Sequence, residues 1–264
     1  MNKFESDYKH LVKKIIDEGE VRQTRNAMTR ALFGERLIVD INKGEFPLLT
    51  GRKIFHKGIL GEFAAMVRGP KTLADFEDQG CPYWKLWAES NGSLNVDYGN
   101  TWINFNGSGV NQMQNVIDTI KSNPTDRRMF VVGTNPENNP DLPSCHILYQ
   151  WYVREGKYLD MMWYQRSVDT LIGLPSDVVL AATWNMSLAK DTGLVPGRIT
   201  MNLGDTHIYE SHIENAKEYL SKPNHQLPLV KFADSYTDLW NFTKDDLVIS
   251  EYEHEPPIKF ELFK

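Results

Sequence analysis

Apolar positions along this chain follow two periods, and the switches between them mark its elements. Residues 5 to 18 place Tyr8, Leu11, Val12, Ile15 and Ile16 on one side of a helix, and Gly19 follows as a stop. The stretch "ERLIVDINKGEFPLL" reads as a strand followed by an Asn-Lys-Gly turn. Helical spacing returns over 55 to 67 through Ile59, Leu60, Phe63, Met66 and Val67, with Glu62 beside the apolar stripe. Residues 79 to 107 break both periods. They mix Gly, Pro, Asn and Ser with Tyr83, Trp84, Trp87, Tyr98 and Trp102, a loop-rich region with rings to place.

Beyond it, a helix from about 110 to 121 stops at "SNP". "RRMFVVGT", "CHILYQWYV" and "YLDMMWYQ" read as strands, the last two joined by a "REGK" turn. Residues 176 to 191 form a largely buried helix, and "RITMNLGDTHIY" a strand running into a helix from about 207 to 220. No βαβ repeat, internal repeat or composition break is visible. The expectation is an α+β fold in a single domain over residues 1–264.

Composition narrows the function classes. With 264 residues, 41% of them hydrophobic, the chain can bury a full core. A net charge of −6 argues against binding to nucleic acid, which calls for a broad basic face, but leaves room for a small anion held by a few arginines. No run of about 18 apolar residues calls for a membrane span, and "MNKFESDYKHLVKK" lacks the apolar centre of a signal peptide. The two cysteines, Cys81 and Cys145, are expected as free thiols in a reducing compartment. A cytoplasmic enzyme is the expectation.

Candidate chemistry then appears in several short stretches. Cys145, in "LPSCHILYQ", is a small buried hydrophobe or a nucleophile. A dyad with His146 is disfavoured because neighbouring strand residues point to opposite faces, and a nearby arginine would activate the thiol better. Arg127 and Arg128, tandem in "NPTDRRMF", are a solvated pair or a phosphate fork. Arg166 and Ser167 in "YQRSVD" could add to the same anion site. His207 and Tyr209 in "GDTHIYESH" suit a sugar hydroxyl or plain packing. A metal site is not expected, since His207 and His212 are poorly spaced and no CxxC or HExxH accompanies them. Glu62 is a surface acid, or a partly buried one suited to proton transfer.

Taken in order and spacing, "YGNTW", "NPTDRRMFVV", "LPSCHILYQWYV", "YQRSVDTLIGLP" and "GDTHIYESH" resemble the thymidylate synthase superfamily, from "FPLLTGRK" to "YEHEPPIK". The resemblance implies a mixed sheet packed with helices and a homodimer formed through that sheet. It implies a pyrimidine nucleoside monophosphate as substrate and 5,10-methylenetetrahydrofolate as the one-carbon donor. By the same resemblance Cys145 matches the nucleophile that adds to C6 of the base, Glu62 the acid that organises water and protons, and Tyr98 an active-site aromatic. Arg25, Arg166 and Ser167 match phosphate ligands, with Arg127 and Arg128 reaching the phosphate of the other subunit. His207 and Tyr209 match ligands of the 3′-hydroxyl. Trp84, Asp169, Ile172 and Gly173 fall on the cofactor side.

Two departures bear on the reaction. Synthases carry asparagine where this chain has Asp177, and a carboxylate there suits the N4 amino group and N3 of cytosine. That places the chain nearest the deoxycytidylate hydroxymethylase branch, associated with DNA phages and hence a host cytoplasm. The alternative for Asp177 is an acid near the start of a helix beside Pro175. Ser176 replaces an aromatic, and the end, "FELFK" with Lys264, departs from the short apolar tail that closes a synthase site. Looser closure would let water finish the reaction. The expected activity is folate-dependent 5-hydroxymethylation of dCMP, with C5 methylation of dCMP or dUMP, or a catalytically idle nucleotide-binding protein, as alternatives.

Overall fold

The computed structural model describes residues 2–140 and 142–263. Its centre is a helix with no polar side. α6 (Gly173–Thr192) is buried almost throughout from Leu174 to Ala189, as a helix apolar all round must be. It begins three residues before the expected start, with Pro175 in the first turn, where a missing N–H costs nothing. Its buried polar residues are partly satisfied locally: Thr183 Oγ1 donates to the Val179 carbonyl and Asn185 Nδ2 to that of Leu159. Trp184 stacks on Trp102 at 4.2 Å, and Tyr149 and Trp151 close in around it.

α6 lies on a six-stranded sheet of β1 (Glu20–Gln23), β2 (Met28–Asp40), β3 (Phe130–Val132), β4 (His146–Arg154), β5 (Tyr158–Asp169) and β6 (Val195–Tyr209). Their order is β1-β2-β6-β5-β4-β3, with β5 and β6 parallel and the other neighbours antiparallel. α1 (Lys3–Glu18), α2 (His56–Met66), α5 (Gln112–Ser122) and α7 (Ile213–Ser221) complete the helical side, with short α3 (Leu73–Glu77) just ahead of the loop-rich region and α4 (Asn100–Ile103) within it. The core draws on residues from α1 through to β8 (Leu247–Ser250), which pairs with β7 (Leu229–Phe232). This is a mixed α+β fold, as expected.

Strands β4 and β5 show why the sheet has two unlike faces. Along β5, Met161, Trp163 and Gln165 are buried, while Met162, Tyr164 and Arg166 are exposed. Tyr152 on β4 is 62% exposed on that open side. The two strands meet at a three-residue turn, Glu155 to Lys157, in which Glu155 and Gly156 are both at positive φ and Lys157 N–H donates to the Arg154 carbonyl, matching the twist of the flanking strands.

Three expectations need correction. β2 starts at Met28, well before Glu35, and its pairing with β6 keeps one register throughout; the start is hard to read because Phe33 to Arg36, around Gly34 at φ 87°, are not buried and interrupt the two-residue period. The helix expected from 207 begins only at Ile213. His207 and Tyr209 still pair with Ala31 and Thr29 in the sheet, and one 3₁₀ turn follows. The strands β1, β7 and β8 are too short to carry a readable period.

Candidate active site

A cavity of about 420 Å³ opens where α2, the end of β5, the start of α6 and the segment before β4 converge. Cys145 sits at its wall, just ahead of β4. Its N–H donates to the Tyr98 hydroxyl at 2.9 Å, and its carbonyl accepts from the Arg166 N–H at 2.9 Å. The Arg166 side chain reaches back to the same segment, Nε donating to Ser144 O and Nη2 to Pro143 O, both at 2.9 Å. Burial pushes the Cys145 thiol up and the Arg166 charge pulls it down, while Asp177 adds to the upward push. Arg166 thus opposes the effect of burial without overcoming it, and the thiol stays above its ordinary range. His146 is not displaced to the far face, because a register shift at the start of β4 brings it to the cavity beside Cys145. The dyad fails for another reason: both ring nitrogens are engaged elsewhere.

Those engagements define the environment of Asp177. His146 Nδ1 meets the Tyr149 hydroxyl at 3.1 Å, and Nε2 meets Asp177 Oδ1 at 3.1 Å. Gln165 Nε2 donates to Asp177 Oδ2 at 2.6 Å. The carboxylate is only 8% exposed and lines the cavity. It lies one turn inside α6 and is bonded to side chains, not to the helix's free N–H groups, so the helix-start alternative does not describe it.

Glu62, on α2, is 7% exposed, far from the surface acid that its flank position allowed. Tyr83 Oη and Trp84 Nε1 each donate to one of its oxygens at 2.8 Å. Burial raises its pKa to about 7 against the pull of those two donors, with a further push from Asp177. Trp84 stacks on Phe76 and meets Tyr98 edge-on at 5.5 Å.

Ser167, Asp169, Ile172, Gly173 and Tyr209 also line the cavity. Asp169 Oδ1 accepts from Leu171 N at 2.8 Å and Ile172 N at 3.0 Å; burial raises its pKa and the nearby His207 opposes that. His207 sits one strand over, in register with Asp169, its Nδ1 2.9 Å from Asp205 Oδ1. Arg25 is exposed in the bend between β1 and β2, where its charge acts on the Tyr209 hydroxyl. Arg127 and Arg128 are not brought in. They border a separate hollow with Thr125 and Asp126, and Arg128 pairs with Asp126 at 3.0 Å.

The C-terminal segment contradicts the expectation of loose closure. Phe260, Leu262 and Phe263 line the cavity. Phe263 stacks on Tyr209 at 4.2 Å, and the Arg52 guanidinium lies 5.0 Å from the Phe260 ring. Lys264 lies outside the described residues. Sequence reading also missed Tyr83 and Gln165. Gln165 had a signal, a polar residue at an inward position of β5, whereas Tyr83 lies in a stretch with no period to read.

Among known protein families, the one described as thymidylate synthase matches residues 6–263 of this chain.

Proposed function

The chain belongs to the thymidylate synthase family, which transfers a folate-borne one-carbon unit to a pyrimidine nucleotide, and from that premise we propose that it is a deoxycytidylate 5-hydroxymethyltransferase. The observation that carries the reading is Asp177, a buried carboxylate held between two donors at the cavity wall. An ionised carboxylate only accepts hydrogen bonds. It suits the N4 amino group of cytosine and opposes the O4 carbonyl of uracil, so the mismatch discriminates between the bases.

The remaining residues fit the chemistry. The pyrimidine C5 is a weak nucleophile until the Cys145 thiolate adds to C6, turning one hard step into easier ones. Arg166, Ser167 and Arg25 anchor the phosphate, so that binding energy remote from the base positions C6 over the sulfur. Arg127 and Arg128 reach the phosphate from a partner subunit, docked through the open face of the sheet. Tyr209 and His207 take the 3′-hydroxyl. Glu62, poised near neutrality, moves protons at C5 and on water. An apolar wall of Trp84, Trp87 and Ile172 with the Asp169 carboxylate fits a flat, amino-bearing pterin. When bound, 5,10-methylenetetrahydrofolate supplies the one-carbon unit.

Ser176, a small polar residue at the cavity wall, favours completion by water. The apolar tail over the same cavity favours the second reading, methylation at C5 with hydride from the folate. Incubation with methylenetetrahydrofolate and either dCMP or dUMP, followed by mass analysis, separates them. Hydroxymethyl-dCMP is expected, and Asp177→Asn is expected to move the preference toward dUMP. Methyl-dCMP with dihydrofolate would establish the second reading, and dTMP from dUMP would overturn the cytosine assignment.

A further inference from the structure

We propose that the Tyr83 hydroxyl is a proton relay for Glu62, carrying the carboxyl's proton between its Oε2 and the cavity. The inference rests on the role given to Glu62 above. Each oxygen of that carboxyl has one fixed neighbour, and the two neighbours differ in kind. Trp84 Nε1 can only donate, which keeps Oε1 as the carbonyl oxygen when the acid is protonated. Tyr83 Oη both donates and accepts, so the proton belongs on Oε2, the oxygen it faces at 2.8 Å. In the ionised acid the Tyr83 O–H points at Oε2. In the protonated acid Oε2–H points at the Tyr83 oxygen, and the tyrosine's own proton is free to turn toward the cavity that its side chain borders. Passing a proton outward moves Oε2–H onto the phenol oxygen while the phenol proton leaves to a water or substrate atom. The net change is one proton lost by Glu62, and Tyr83 is regenerated.

The position of Tyr83 is built into the fold. Gly58 lies one helical turn before Glu62 on α2. A Cβ there would fall 2.4 Å from the Phe55 ring and 3.3 Å from the Tyr83 ring, so the helix is left bare where the two rings approach it. The titratable groups facing Glu62 are Tyr83 and Cys81 from the segment before Trp84, and Asp177 from α6, with Tyr98, Cys145 and His146 across the cavity. Burial keeps the Cys81 thiol, which adjoins the same hydroxyl, firmly protonated, and it keeps Tyr83 itself from ionising. The relay therefore works by handing protons on, never by a standing phenolate.

Tyr83→Phe keeps the ring and removes the relay. Tritium release from C5-labelled dCMP and dUMP, measured against pH with methylenetetrahydrofolate, reads the effect. The expected result is a kcat lower by about tenfold or more with nucleotide KM kept within about twofold, the unchanged KM reporting an intact site. The limb of the pH profile that belongs to Glu62, identified by its loss in Glu62→Gln, should also move to higher pH, because the Tyr83 hydrogen bond lowers that pKa. A kcat within about twofold of the parent with an unmoved limb would overturn the relay alone. Release from neither nucleotide by the unaltered protein would overturn the proposed function and the relay together.

Discussion

Glu62 shows at the scale of one residue what a buried carboxyl at the cavity wall costs. Its carboxyl is buried with two neutral donors and no cation among its partners, and its pKa rises to about 7. The unfolded chain releases that proton in the ordinary carboxylate range. Between that range and about pH 7 the folded chain holds a proton that the unfolded chain has lost, so stability falls as pH rises through the window. Above it the whole cost is present. Glu62→Gln should therefore stabilise the protein by on the order of 3 kcal/mol near pH ~8, and by little near pH ~4. Urea unfolding at the two pH values checks this; an equal gain at both would mean that the acid is not held protonated by the fold. Asp177 makes a second point at this scale. Its kind and its neighbourhood were legible in the sequence, but its partners were not, because His146 and Gln165 come from β4 and β5, which only the folded sheet brings against α6.

At the scale of elements, legibility followed length and purity of period. α1 and α6 announced themselves, the first by a clean apolar stripe and the second by lacking a polar face. The end of β6 did not, since "THIYESHIENAKEYL" carries helical spacing across a point where His207 and Tyr209 are still paired to β2. The tail was misread for a related reason. Its fate depends on rings contributed by distant segments, Tyr209 above all, and no local pattern records that. Phe263→Ala removes the stacking on Tyr209 from a partly exposed position. It should lower turnover by about tenfold, the range of effects expected when a closing segment is loosened, while the thermal midpoint moves by no more than about 3 °C. Turnover and a melting curve on the same preparation decide it, and a large loss of stability with normal turnover would assign the tail to the fold instead.

For the molecule as a whole, the sheet divides the labour: one face holds the core and the other is exposed with Tyr152, Met162 and Tyr164 upon it. Arg127 and Arg128 lie away from the cavity of their own chain. If they serve a partner's site, Cys145→Ser and Arg127→Ala should each be nearly inactive alone. A mixture refolded together should recover about a quarter of the parent activity, since half of random pairs are mixed and each of those has one whole site. A mixture no more active than its components would show that each site is built by one chain. Within a single chain the tandem arginines border a hollow apart from the cavity, so it is the mixture that tests the role expected of them.

The Arg166 clamp joins the side chain and the backbone of one residue to the segment ahead of β4. Its Nε and Nη2 already grip the carbonyls of Ser144 and Pro143, and its N–H grips that of Cys145. An anion drawn to the rest of the guanidinium would therefore act on the same strut that fixes the backbone of Cys145. If Arg166 takes the substrate phosphate, as proposed above, that anion would bear on the segment that carries Cys145, and a nucleoside without its phosphate would leave the thiol aimed by the protein alone.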